Sequence, residues 1–212
     1  MLRYKNRQEA SKLLADLLLK YKSKKNAVIL AIPRGGVEIA YFLSKKLLLP
    51  MNVLITRKIG APHNKEFGLG AISENNSSYF DIKSLKLLNL KKKDLINEIK
   101  KERKELKRRK ALYRKNPLNI KGKTVILVDD GLATGVTALA AIKAAKSLKP
   151  KKIVFAVPVS SVGAGENISQ KIDEFICPMI EKNLNSIAVY YDDFDQVTDE
   201  KVISILNKAW KS

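Results

Sequence analysis

Two adjacent carboxylates, Asp129 and Asp130, follow the apolar run Val125-Ile126-Leu127-Val128 and precede a turn that carries Gly131, Thr134, Gly135 and Thr137. An unbroken apolar run of this length predicts a strand buried on both faces of a parallel sheet. Val136 to Leu148 reads as a helix. The acids and the turn therefore sit at a strand's carboxyl end, where open α/β sheets take their ligands. The turn Gly131-Leu132-Ala133-Thr134-Gly135 can wrap a phosphate, because its glycines let backbone N–H groups converge and the next helix offers its N-terminus. Thr134 and Thr137 can add hydroxyl donors. Carboxylates repel a phosphate, so they must serve a neighbouring group. Vicinal sugar hydroxyls suit them, since ionised carboxylates accept hydrogen bonds strongly. A phosphate beside a diol is a ribose phosphate.

Three other stretches can contribute. Pro33-Arg34-Gly35-Gly36 joins a buried strand, Ala27 to Ile32, to a helix over Gly36 to Leu49. Its glycines permit close backbone approach to an anion, its helix N-terminus favours negative charge, and Arg34 adds a fork of donors. Arg57-Lys58-Ile59-Gly60 closes the strand predicted over Asn52 to Thr56, and its two cations suit a highly charged leaving group. Arg34, Arg57 and Lys58 around one position repel one another unless such an anion visits. The third stretch, Val157-Pro158-Val159-Ser160-Ser161, ends a further strand. Ser160 and Ser161 there either donate to a nucleobase or cap the following helix. The cluster Tyr190-Tyr191-Asp192-Asp193-Phe194 either stacks on a base or packs internally.

These residues need a scaffold. Ala10, Leu13, Leu14, Leu17, Leu18 and Tyr21 recur at helical spacing and predict an N-terminal helix. Strand signals at Ala71-Ile72 and Tyr79-Phe80 flank a hairpin turn at Asn75 to Ser78. Lys91 to Lys115 predicts a long basic helix with a narrow seam of Leu95, Ile99, Leu106 and Tyr113, which packs on the domain or on a second copy, its charged face solvated. Lys152 to Val157 reads as a strand, Ser161 to Lys171 as a helix, Ile187 to Tyr191 as a short strand, and Asp199 to Trp210 as a helix that Asp199 caps. The alternation predicts one α/β domain over 1–212, a Rossmann-like, mainly parallel sheet of about five strands with helices on both faces.

Composition narrows the partners. The formal charge is +20, of which Lys91 to Lys115, with thirteen Lys or Arg against four acids, supplies +9. Such a balance attracts either nucleic acid or a polyanionic small substrate. No apolar run is long enough to span a membrane. The single Cys177 cannot form an intramolecular disulfide, and the expected setting is cytoplasmic. Gly122-Lys123-Thr124 is not a P-loop, because Pro117 replaces the required glycine and the segment precedes its strand. Gly163-x-Gly165 lacks the third glycine of a dinucleotide fingerprint, Ile168 standing there.

The Val125–Thr137 stretch resembles the phosphoribosyl pyrophosphate motif of type I phosphoribosyltransferases, although Gly131 stands where an aliphatic residue is more usual. Pro33-Arg34-Gly35-Gly36 resembles that family's pyrophosphate loop, which often carries a non-proline cis peptide. The Arg57-Lys58 pair before a glycine is similar to that of adenine phosphoribosyltransferases. The resemblance implies transfer of ribose 5-phosphate from phosphoribosyl pyrophosphate to a nitrogen acceptor, a nucleobase, with release of pyrophosphate. It implies that Asp129 and Asp130 hold the ribose hydroxyls and touch Mg²⁺ only indirectly, through those hydroxyls or water. Gly131, Leu132, Ala133, Thr134, Gly135 and Thr137 would grip the 5-phosphate; Pro33, Arg34, Gly35, Gly36, Arg57 and Lys58 would meet pyrophosphate; Ser160 would line the base pocket. Ala61 to Gly70, with His63 and Glu66, resembles the family's mobile flap. The resemblance also implies a homodimer and a core of about 22–170 under a hood formed by about 1–21 and 171–212, with 91–115 a helical insertion. The competing expectation is a non-catalytic sensor of phosphoribosyl pyrophosphate or nucleotides that regulates through nucleic acid.

Overall fold

A computed structural model describes residues 3–114, 117–182, 184 and 186–210. The chain runs α1 (Arg7–Leu17), β1 (Ala27–Ala31), α2 (Gly36–Leu47), β2 (Met51–Val53), β3 (Thr56–Ala61), β4 (Asn64–Ser73), β5 (Ser78–Phe80), α3 (Ile82–Leu87) and α4 (Ile96–Tyr113). It continues through β6 (Thr124–Val128), α5 (Val136–Ser147), β7 (Lys152–Ala156), β8 (Val159–Ser161), α6 (Val162–Ser169), β9 (Glu174–Ile176), β10 (Met179–Glu181) and α7 (Asp199–Trp210).

The centre is a five-stranded parallel sheet in the order β2-β1-β6-β7-β9. Its apolar runs are continuous because both faces are covered and side chains alternate between them. Ile29, Ala31, Ile126, Val128, Val154 and Ala156 face one core, built with Leu14 of α1, Leu43 of α2 and Val202 of α7. Val28, Leu30, Val125, Leu127, Ile153 and Phe155 face the other, built with Leu139 and Ile142 of α5 and Ile168 of α6. Helix starts follow local chemistry: Asn6 accepts from the Glu9 amide at 3.0 Å, and Ser161 accepts from the Ala164 amide at 3.2 Å. α2 stops where Leu48 turns left-handed, just before Pro50.

Several expectations need correction. The predicted Asn52–Thr56 strand divides: β2 ends at Val53, and Thr56 opens β3 of a separate antiparallel sheet, β3-β4-β5. The reason is the Ile55 amide, which donates to the buried carboxylate of Glu74 at 2.9 Å instead of to a neighbouring strand. The expected loop from Ala61 to Gly70 is instead mostly hairpin, with β3 and β4 paired from Thr56–Ser73 to Ala61–Asn64. Gly60 permits it, since a Cβ there would lie 2.3 Å from the Lys65 carbonyl oxygen. The turn at Asn75-Asn76 is present, both residues left-handed.

Ile187 to Tyr190 forms a 3₁₀ turn rather than a strand. Thr198, not Asp199, accepts the cap hydrogen bond of α7, from the Lys201 amide at 3.2 Å. The seam of the basic helix packs on its own domain, with Leu95, Leu106 and Tyr113 buried. Its charged face is not merely solvated. Glu102 meets Arg57 of β3 at 2.7 Å, and Arg108 meets Asp199 of α7 at 2.5 Å. The helix ends at Tyr113; the predicted end at Lys115 lies outside the described residues.

Candidate functional site

β1 and β6 are adjacent, parallel and in register from Ala27–Thr124 to Ala31–Val128. Their carboxyl ends therefore deliver Pro33–Gly36 and Asp129–Thr137 to the same place. The two loops touch. A Cβ on Gly36 would lie 2.7 Å from the Val128 carbonyl oxygen, and one on Gly35 would lie 1.7 Å from Oδ2 of Asp130. These glycines serve close approach, a role their φ values do not require. The peptide bond between Pro33 and Arg34 is cis.

Gly35 is the N-cap of α2 and Gly135 that of α5, and neither N-terminus has a side-chain cap. The first turn of α5 thus presents amide donors that have no intrahelical acceptor, whereas in α2 the Val37 and Glu38 amides already donate to the Arg34 and Gly35 carbonyls, both at 3.1 Å. Gly135 sits at φ +78°, the left-handed region open to glycine. Thr134 is exposed and Thr137 half-buried at this end. Leu132 is buried and ties the turn to β8, its amide donating to the Val159 carbonyl at 2.9 Å. Ala133 accepts from the Ser161 hydroxyl at 2.7 Å. Gly131 has no room for a side chain, because Ile187 packs against it and a Cβ would meet that side chain at 2.6 Å. The unexpected glycine in the motif is therefore matched to the 3₁₀ turn.

The acid pair is strongly biased. Burial, then the charge of Asp130, raises the Asp129 carboxyl well above the usual carboxylate range. Burial also raises Asp130, but Arg7 opposes the shift. The Arg7 Nε and Nη2 groups both donate to Oδ2 of Asp130, at 3.0 and 2.9 Å. The Tyr191 hydroxyl donates to the Asp130 carbonyl at 2.7 Å. Both carboxyls are thus pushed up by burial, Asp129 the further because Arg7 favours the ionised form of Asp130.

Sequence reasoning missed Arg7. Its signal was present: a cation at the first position of a helix opposes the helix dipole, so such a residue needs a partner elsewhere.

Other expected residues fall in less direct places. Arg57 and Lys58 lie within β3 of the antiparallel sheet, not at the end of a parallel strand. Arg57 pairs with Glu102, and Arg34 lies 3.7 Å from Asp199. The expected repulsion among these cations is thus partly offset by carboxylates of the chain itself. The Lys58 stem flanks Gly68, whose Cβ would lie 3.3 Å from both Lys58 Cδ and Val136 Cγ2. The hairpin therefore rests against the start of α5.

Ser160 is fully buried and donates to the Ser161 carbonyl at 2.8 Å. Ser161 caps α6, so the capping alternative holds there. His63 is exposed at the hairpin turn; the Glu66 side chain lies outside the described residues. The aromatic cluster packs internally. Phe194 stacks on Tyr191 at 4.8 Å and carries the Arg7 guanidinium 3.9 Å above its ring. Burial pushes the Cys177 thiol up to about 12, which disfavours its thiolate form.

Among the described residues, no cluster of three or more His, Cys, Asp or Glu is placed to hold a metal. Two adjacent carboxylates fit a hard cation that is held mainly by substrate oxygens and water. No helix among the described residues is long and apolar enough to cross a membrane.

Comparison with known proteins bears on this site. The phosphoribosyl transferase domain profile matches residues 3–194. A Mycobacterium tuberculosis protein, provisionally named a phosphoribosyl transferase, is 31% identical over 208 residues, covering 97% of this chain and 47% of its own length. This chain thus spans about half of the curated relatives it matches over its full length. The crystal structure of TT1426 from Thermus thermophilus superposes with a TM-score of 0.77 at 32% identity, covering 98% of this chain and 99% of that one. A uracil phosphoribosyltransferase of Mycoplasma genitalium is 41% identical over 75 residues, 34% of this chain and 36% of that protein.

Proposed function

This chain belongs to the phosphoribosyl transferase domain family, and we propose that it transfers ribose 5-phosphate from phosphoribosyl pyrophosphate to a ring nitrogen of a nucleobase. The observation that carries this reading is the juxtaposition of two uncapped helix N-termini, α2 and α5, around the Asp129–Asp130 pair. The amides of Ala133 to Thr137 hold the 5-phosphate, with the Thr134 and Thr137 hydroxyls. Asp130, and Asp129 once ionised, accept hydrogen bonds from the ribose diol. The turn at Gly35-Gly36 receives pyrophosphate oxygens, with Arg34 beside it.

In the reaction the anomeric C–O bond to pyrophosphate breaks and a C–N bond forms; the electron pair of the broken bond leaves with pyrophosphate, and the acceptor nitrogen releases its proton to solvent. The transition state resembles an oxocarbenium ion. Positive charge grows on the sugar above two carboxylates, and negative charge grows on the departing oxygens near the α2 N-terminus. Catalysis is then positioning and preorganised electrostatics. Asp129 and Asp130 would reach Mg²⁺ through ribose hydroxyls or water, and the metal when bound offsets charge on pyrophosphate.

The test is pyrophosphate release from phosphoribosyl pyrophosphate with Mg²⁺, across a panel of purines, pyrimidines and related heterocycles. Base-dependent release is expected. Tight donor binding without release for any base would instead favour the sensor reading, to which the carboxylates already paired with Arg34 and Arg57 lend weight.

A further inference from the structure

We propose that Arg7 is a positioning residue for Asp130, fixing the carboxylate that holds the ribose diol to both ends of the chain; this rests on the donor-binding reading above. Arg7 is only 7% exposed. It occupies the first position of α1, where a cation opposes the helix dipole. Stability of α1 therefore does not account for it.

Its contacts account for it instead. Both Nε and Nη2 aim at Oδ2 of Asp130, leaving Oδ1 outside the fork. Nη1 donates to the Asp195 carbonyl at 2.9 Å and to Glu38 of α2 at 3.3 Å. Phe194 closes one face of the guanidinium. The guanidinium thus ties together three segments: the sugar acid, the C-terminal stretch and α2. Glu38 is in turn held by Lys201 of α7 at 3.2 Å.

The backbone at Gly35 backs onto the same oxygen, where a Cβ would meet Oδ2 at 1.7 Å and Arg7 Nε at 3.2 Å. Asp130 Oδ2 is therefore trapped between Arg7 and the pyrophosphate-side loop. The carboxylate can present only its other edge to a ligand. Lysine cannot replace this geometry, since a single ammonium cannot fork on one oxygen while bridging two further acceptors.

The test is a double-mutant cycle on ribose 5-phosphate binding, read by calorimetry on wild type, Arg7→Met, Asp130→Asn and the pair. Arg7→Met is expected to weaken binding about 10- to 100-fold, as for a lost charge-assisted hydrogen bond. The same change in the Asp130→Asn background should cost almost nothing, because Arg7 acts through Asp130. Arg7→Lys should recover only part of the loss, and it replaces Arg7→Met in the cycle if that variant fails to fold. Arg3→Met is the control, an exposed cation of the same segment. Additive losses would overturn the positioning role while leaving donor binding intact. Wild-type protein that ignores ribose 5-phosphate would overturn the donor-binding reading, and the role of Arg7 with it.

Discussion

Gly35 and Asp130 are in backbone-to-carboxylate contact: any side chain on Gly35 would begin 1.7 Å from Oδ2 of Asp130. The loop proposed to receive pyrophosphate and the acid proposed to hold ribose are thus one packed unit. Gly35→Ala must displace Asp130 or the loop, at an overpacking cost of about 1–3 kcal/mol. Ribose 5-phosphate affinity should fall with it. Gly163→Ala is the matched control, since nothing lies within 4 Å of a Cβ there. That control should leave binding alone and raise the thermal midpoint slightly, as expected for Gly→Ala within a helix. Equal binding by the Gly35 variant would separate the two loops functionally.

The raised Asp129 carboxyl makes a pH prediction of definite sign. Burial comes first and the neighbouring Asp130 second among its causes. In the unfolded chain an aspartate ionises near about pH 3.9. The folded chain holds this proton more tightly. Its stabilising contribution is therefore complete at acid pH and is lost as pH rises from the unfolded pKa through the folded one. Asp129→Asn carries no such loss. The variant should melt above wild type at neutral pH and converge with it in acid. Its donor binding should nevertheless fall. A variant less stable than wild type at neutral pH would show that Asp129 is not held under strain.

Much of this was legible in the sequence, for identifiable reasons. β1, β6 and β7 announced themselves because burial on both faces leaves no polar interruption. The turn at Asn75-Asn76 was marked by residues that tolerate left-handed backbone. The hairpin β3–β4 was hidden, because Gly60, Gly68 and Gly70 read as hinges, whereas Gly60 and Gly70 allow close strand approach and Gly68 lets the hairpin meet α5. Arg7 was hidden because its partner lies 123 residues away. The same distance effect concealed the ties of α4. Glu102 and Arg108 look like members of a solvated charged face until β3 and α7 are placed beside them.

The basic helix should accordingly matter for stability. Leu106 and Tyr113 are buried against the main core. The Tyr113 hydroxyl donates to Asp199, the same carboxylate that faces Arg34 and Arg108. Leu106→Ala should cost about 2–5 kcal/mol, as a buried large-to-small change. Chemical denaturation would measure it. A loss well below about 1 kcal/mol would mean that α4 is an appendage after all.

The β3–β4 hairpin rests on the start of α5, with Gly68 in contact with Val136. Its amides at the His63 tip should exchange faster than those at Arg57–Ile72, where pairing with the rest of the sheet is regular. Ribose 5-phosphate bound at α5 should slow exchange through residues 60–68, because a ligand held at the helix N-terminus restrains the strand lying over it. Hydrogen exchange with and without the ligand reads this directly. Unchanged protection in a protein that binds the ligand would make the hairpin a fixed wall of the site.

A hydroxyl donor at the first turn of α5 is the most local element of the proposed phosphate cradle. Thr137 is half-buried, one residue into a helix whose N-terminus carries no side-chain cap. Thr137→Ala removes a donor to a charged oxygen, worth about 1.5–3 kcal/mol. The amide donors of the same turn remain, so binding should weaken without vanishing. Inorganic phosphate and ribose 5-phosphate should lose affinity by the same factor, because both place a phosphate there and only one carries a diol. Asp130→Asn should do the reverse, weakening ribose 5-phosphate while sparing inorganic phosphate. If Thr137→Ala left both ligands unaffected, the phosphate would have to bind elsewhere, and the uncapped end of α2 would be the next place to look.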